Sequence, residues 1–192
     1  MEKLILASAS PRRSELLRQV GLSFSIHPST VNEEEVYEED PILLVELLAQ
    51  MKARQVAEEL GEGIVLGADT IVVLGQEVLG KPQDDLDALR MLRKLQGTRH
   101  QVVTAVSLVD WKNKKEVVGS QITQVSFRSA SEEELVKYIA SGEPKDKAGA
   151  YAIQGLGALF VSEINGCYYN VVGLPLQYTA SLLKEFGISV LA

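Results

Sequence analysis

Ile64-Val65-Leu66-Gly67-Ala68-Asp69-Thr70-Ile71-Val72-Val73-Leu74 is a near-continuous apolar run of strand length. A half-exposed strand alternates apolar and polar residues; a run like this one marks a central strand covered on both faces. The stretch therefore makes the chain a mixed α/β unit built around a buried strand. Asp69 breaks the pattern. A carboxylate inside such a strand is costly unless it is hydrogen-bonded, paired with a cation or bound to metal. Two readings follow: a structural aspartate tied into backbone N–H groups, or the edge of a site. Gly67 and Ala68 leave room for a ligand to approach, which favours the site.

Upstream, Lys3 to Ala7 reads as a short buried strand. Ser10 is an N-cap and Pro11 a first helical residue, opening a helix that Gly21 ends. Phe24 to His27 suits a second strand. After the acidic stretch Glu33 to Asp40, Asp40-Pro41 starts a long helix reaching about Leu60, with Leu44, Leu47, Leu48 and Met51 on one face. Lys52 lies in the row Leu48, Lys52, Val56, flanking that stripe. Its stem can pack while its ammonium reaches water, and periodicity does not bring this row to Asp69.

Downstream, Gly75-Gln76 turns into a strand ending at Leu79. Asp84 opens a helix containing Leu89, Leu92 and Leu95, and Gly97 closes it. His100 to Val109 and Val117 to Phe127 are strands about a polar turn. Ser131 to Glu134 is a capping box for a helix ended by Gly142, and Pro144 to Gly157 is a small-residue loop. Asn165-Gly166 signals a hairpin between Leu159–Ile164 and Tyr168–Val172, and Pro175 begins a last helix closed by Gly187. There is no internal repeat and no linker. The 192 residues suit one domain, 1–192, or two small lobes sharing a core.

Composition excludes several function classes. Twenty-six acidic residues against nineteen Lys and Arg give a formal charge of −7, which argues against a general nucleic-acid binder. It does not argue against a small phosphate ligand held by a local basic cluster. No stretch approaches the roughly 20 apolar residues of a membrane span. The apolar run after Met1-Glu2-Lys3 is too short for a secretory signal. A single cysteine, Cys167, excludes an internal disulfide framework and makes a reducing cytoplasm the default.

In Ser8-Ala9-Ser10-Pro11-Arg12-Arg13 a strand ends and a helix begins with two arginines in its first turn. Helix N-termini favour anions, and cations there oppose the dipole unless an anion lies between. Arginine adds a planar fork that matches phosphate oxygens; the competing reading is an ordinary helix start with solvated arginines. Lys81, in Gly80-Lys81-Pro82, is held extended by the following proline, as either a phosphate contact or a surface turn. Asp146-Lys147-Ala148-Gly149-Ala150-Tyr151 and Gln154-Gly155 lie where backbone can approach a ligand, and Gln154 pairs a donor with an acceptor suited to a base edge. No phosphate-binding P-loop, dinucleotide Gly-x-Gly-x-x-Gly or His-Glu-x-x-His is present. His27 and His100 lack ligand spacing, Cys167 lacks an activating partner and suits a buried or strand position, and Asp84, Asp85 and Asp87 suit a helix start.

In this order, Leu6-Ala7-Ser8-Ala9-Ser10-Pro11-Arg12-Arg13, Glu33, Lys52, Gly67-Ala68-Asp69-Thr70, Gly80-Lys81-Pro82, Asp146-Lys147-Ala148-Gly149-Ala150-Tyr151 and Gln154-Gly155 closely resemble the Maf family. The segment Ala148 to Gly155 is similar to the branch acting on dTTP and UTP; the branch acting on 7-methyl-GTP differs there. The resemblance implies an elongated mixed sheet with two lobes around a cleft, like inosine-triphosphatase folds, and a homodimer. It implies a pyrophosphatase dependent on Mg²⁺ or Mn²⁺, converting a nucleoside triphosphate to its monophosphate. Asp69 would accept the proton of the attacking water. Arg12, Thr70 and Gln154 match specificity positions, Arg13, Lys52 and Lys81 phosphate contacts, and Ser8 belongs to the first motif. Glu33 matches a metal or catalytic acid, so Asp69 and Glu33 are the implied metal ligands. Asp146 and Lys147 line the same cleft. The family is also associated with inhibition of septum formation. Two other functions therefore compete: a nucleotide-sensing or partner-binding protein in division control, and a phosphatase releasing orthophosphate stepwise.

Overall fold

The computed structural model describes residues 3–191. Ala192 lies outside them, as do Met1 and Glu2, where the reading of no secretory signal begins. The elements are β1 (Leu4–Leu6), α1 (Pro11–Gln19), β2 (Phe24–Ile26), α2 (Pro41–Leu60), β3 (Ile64–Leu74), β4 (Glu77–Leu79) and α3 (Asp85–Leu95). They continue with β5 (Arg99–Asp110), β6 (Lys115–Phe127), α4 (Glu132–Ala140), β7 (Val161–Asn165), α5 (Tyr168–Val172) and α6 (Leu176–Glu185). The mixed α/β class read from the sequence is the one observed. The strand order is β2-β1-β3-β5-β6-β7, with β4 paired to β3. β1 runs parallel to both β2 and β3, Leu4 facing Phe24 and Ile64. β4 folds back antiparallel on β3, and β7 pairs antiparallel with β6.

The chain divides into two compact units. The first comprises Met1–Asp69, Thr104–Gln121 and Gly173–Ala192; the second comprises Thr70–Val103 and Ile122–Val172. In the first unit Ile5, Ala7, Ala53, Val56, Ala57, Val65 and Val109 form a buried cluster. The lone Trp111 is exposed in this unit's β5–β6 turn. The second unit packs α3 and α4 over Val72, Leu79, Val102, Val125 and Phe127. Covering a leucine such as Leu92 or Leu95 contributes about 2 kcal/mol, and both are fully buried.

Caps set the helix boundaries as the sequence foretells. Asp40 accepts hydrogen bonds from the Ile42 and Leu43 amides, Asp84 from Asp87, and Ser131 and Glu134 close a capping box. Four expectations change. The buried face of α2 is Val45, Leu48, Ala49, Lys52, Ala53 and Val56 rather than the leucine stripe; Leu44 and Met51 are only half-buried and Leu47 is exposed. The reason is packing distance, since alanines let the helix approach β3 more closely than leucines would. Tyr168–Val172 is a helix, not the return strand of a hairpin. Asn170 is fully buried and donates to the Val102 carbonyl and Thr123 Oγ1, and Cys167 donates through its amide to Thr123. Cys167 itself is half-exposed and outside any strand. The small-residue loop is wound into short 3-10 turns at Glu143–Asp146, Ala148–Ala150 and Leu156–Phe160.

Candidate active site

Asp69 ends the first stretch of the first unit, and Gly67 explains what stands against it. A Cβ on Gly67 would lie 2.4 Å from the Ala49 carbonyl oxygen and 2.8 Å from the Ala53 nitrogen. The room left by Gly67 is thus filled by α2, not by a ligand as the sequence suggests. That approach carries Lys52, on the same helix face, to the strand. Its Nζ stands 2.6 Å from Asp69 Oδ1 and 2.8 Å from Glu33 Oε1. Lys52 and Asp69 are 8% and 7% exposed, so the lysine does not reach for water; it holds two carboxylates.

The helix-start motif joins the same neighbourhood. Ser8 Oγ accepts from the Ser10 amide and from Arg13 Nη1, each at 3.2 Å. Arg13 Nε donates to the Gly173 carbonyl at 2.9 Å. Burial draws the Arg13 guanidinium below its ordinary value; Asp69 and Glu33 oppose that, and Arg12 adds to it. Arginine nonetheless keeps its charge. Burial also pushes the Asp69 carboxyl above the ordinary carboxylate range, against the pull of Lys52 and Arg13 and with a push from Glu33. A carboxylate of raised basicity, fixed by a cation, is a poised proton acceptor. Ser8, Arg12, Arg13, Glu33, Lys52 and Asp69 are therefore one local group in the first unit.

Thr70, Lys81, Asp146, Lys147 and Gln154 belong to the second unit. Thr70 is half-buried and follows Asp69 on β3. Lys81 is exposed, and its turn meets the later motif through a bond from the Gly149 amide to the Gly80 carbonyl at 3.0 Å. Lys147 pairs with Asp146. Gln154 is exposed at the crest of the loop between Tyr151 and Gly157. The remaining candidates are structural. His27 bonds Glu59 on the surface, Asp84 caps α3, and His100 is buried with Nε2 2.8 Å from the Tyr151 hydroxyl.

Two supports had no signal in the sequence. Gly173 acts through its backbone carbonyl, which no side-chain pattern announces. Glu143 and Tyr138 hold the Gln154 loop, yet Glu143 reads as one more acid after a helix. Among the described residues no group of three or more His, Cys, Asp or Glu could hold a metal; the Asp69 and Glu33 carboxylates share Lys52.

A family model described as Maf-like protein matches residues 3–186. A dTTP/UTP pyrophosphatase of Pelotomaculum thermopropionicum is 50% identical over 191 residues, which is the whole of both chains. Another, of Moorella thermoacetica, is 50% identical over 190 residues, covering 99% of this chain and 98% of that one. A solved HAM1 protein from Coxiella burnetii has a TM-score of 0.52 at 15% identity, over 96% of this chain and 100% of that one. That likeness concerns the fold alone, and it agrees with the inosine-triphosphatase-like architecture expected from the resemblance.

Proposed function

Because the chain belongs to the Maf family, we propose that it hydrolyses dTTP and UTP to the monophosphate and pyrophosphate. The observation that carries this reading is the buried Asp69 carboxylate, bonded to Lys52 and influenced by Arg13. The relatives named dTTP/UTP pyrophosphatases support the choice of base. Water attacks the α-phosphorus, and the bond to the bridging oxygen of the departing pyrophosphate breaks. Asp69 takes the proton of that water; Lys52 keeps the carboxylate aimed, and Glu33 anchors Lys52. Arg12, Arg13 and Lys81 neutralise the charge that grows on the bridging and terminal oxygens. Ser8 fixes Arg13, Thr70 and Gln154 meet the nucleoside, and Asp146 with Lys147 flank the substrate.

Asp69 and Glu33 meet at one lysine and offer hard carboxylate oxygens. Asp69 and Glu33 would hold Mg²⁺ or Mn²⁺, hard cations that bind through one or two protein carboxylates. A bound Mg²⁺ or Mn²⁺ supplies Lewis-acid neutralisation of phosphate charge. We also place the protein in the cytoplasm, on its single cysteine, and as a homodimer, which sedimentation tests.

Incubating purified protein with Mg²⁺ and a nucleotide panel, and separating the products by chromatography, decides the reaction. Monophosphate with equimolar pyrophosphate is expected. Diphosphate with orthophosphate would point to a phosphatase, and unchanged triphosphate to a sensor of division control. Asp69→Asn is expected to stay folded and to lose turnover by a factor of about 10² or more; full activity in that variant removes Asp69 from its role.

A further inference from the structure

The loop that presents Gln154 is tied down on both sides. On the near side the Ala152 amide donates to the Tyr138 hydroxyl at 3.2 Å. On the far side the Leu156 amide donates to Glu143 Oε2 and the Gly157 amide to Glu143 Oε1, both at 2.9 Å. The two sides are joined, because the Tyr138 hydroxyl donates to Glu143 Oε1 at 2.9 Å. One carboxylate thus gathers three hydrogen bonds from α4 and from the loop it faces. The loop fits that carboxylate closely. Gly155 adopts φ +123°, and a Cβ there would lie 2.5 Å from Glu143 Oε2. Tyr138 is rigid, being 4% exposed and set edge-on to Phe160 at 5.2 Å. The Gln154 side chain stands out into solvent at the end of the buried run Tyr151 to Ile153.

We infer that Glu143, with Tyr138, is a positioning residue for Gln154 and so sets the discrimination between bases. The inference rests on the reading of Gln154 as the side chain that meets the base. Thymine offers an acceptor at O4 beside a donor at N3, whereas cytosine offers a donor at N4 beside an acceptor at N3. A glutamine amide held in one orientation meets the thymine edge with two parallel bonds and sets donor against donor and acceptor against acceptor on the cytosine edge, and such a constellation tolerates displacements of only about 0.5 Å. The loop must therefore be held as firmly as the amide is aimed. Glu143 supplies the hold through charge-assisted bonds to backbone, roughly twice as strong as neutral ones.

The test compares binding of the α,β-imido analogues of dTTP and dCTP to the full chain with Mg²⁺. The analogues share sugar and phosphates, so the ratio of their Kd values reads only the base, and it is independent of the fraction of folded protein. Glu143→Gln puts an amide nitrogen, which cannot accept, where one oxygen accepts now. The ratio is expected to fall about tenfold, the scale of a misplacement well under an ångström; a scaffold role would lower both affinities and leave the ratio unmoved. Tyr138→Phe frees the Ala152 amide, should lower the ratio less, and decides the matter if Glu143→Gln does not fold. A wild-type ratio in Glu143→Gln, with a collapsed ratio in Gln154→Ala, overturns the positioning role and leaves the base contact standing. A wild-type ratio in Gln154→Ala overturns the base contact and the positioning role together. Pyrophosphate release by the wild-type chain is scored separately, so a failure of the proposed reaction is not mistaken for either.

Discussion

Lys52 carries its charge into a place where a lysine alone would be expensive, and Asp69 and Glu33 make it tolerable. Removing one partner of a buried pair costs about 3–5 kcal/mol, because the other charge stays behind in low dielectric. Lys52→Met should therefore lower the unfolding free energy by about 3 kcal/mol, measured by urea titration, and abolish turnover. Lys52→Met combined with Asp69→Asn should recover much of the stability and none of the activity, since the stranded carboxylate is gone. A single variant as stable as wild type would show that the pair is not a linked unit. Asp69 was legible from sequence because an ionised group in an apolar strand is conspicuous. Its partner was not: helical period says which residues share a face of α2, but not which strand that face meets. Ser8 and Arg13 were legible as a motif, while the Gly173 carbonyl that holds Arg13 has no side-chain signature.

Helix α2 and strand β3 touch where each has shed its side chains: Gly67 on the strand, Ala49 and Ala53 on the helix. Gly67→Ala drives a methyl into backbone atoms that cannot rotate away. Overpacking of this kind costs about 1–3 kcal/mol, and relief by moving the helix stretches the 2.6 Å Lys52–Asp69 bond. The expected result is a stability loss in that range together with an activity loss out of proportion to it. Gly80→Ala, where an added Cβ meets nothing within 4 Å, should shift stability by under about 0.5 kcal/mol. At this scale the sequence read well wherever a boundary was local: the Asp40, Asp84 and Ser131 caps and the full length of β3 are as expected. It misread Tyr168–Val172 because Gly166 is only a bend, and the outgoing chain is claimed by distant partners. Asn170 finds Val102 and Thr123 across the second unit, and those bonds outweigh the local preference for a hairpin.

For the molecule as a whole, acid stability is set in part by one ring. His100 is 2% exposed, packs edge-on against Phe127 and Tyr151, and has no hydrogen-bond partner for Nδ1 among the described residues. Burial pulls its pKa down from 6.5 to about 4. The folded chain therefore resists a proton that the unfolded chain accepts readily. Stability is fully present above pH 6.5, falls as the unfolded ring protonates, and levels off below about 4. The shift corresponds to about 3 kcal/mol. Urea unfolding of wild type and His100→Gln from pH 7 to 4 should show their difference moving by about that amount in the variant's favour; parallel curves would exclude the ring as the cause. The α/β class was legible at this scale from one apolar run. Two lobes stood as an alternative of length and as what the resemblance implies, but their boundary had no signal, because β3, β5 and β6 run through it without any linker or change of composition.

That division falls between the chain's only tryptophan and its only thiol. Trp111 lies in the first unit and the half-exposed Cys167 in the second. The natural sequence is thus already a two-colour ruler. An acceptor dye coupled to Cys167 and excited by energy transfer from Trp111 reads the separation of the two units directly, in free protein and on adding nucleotide, with no residue changed.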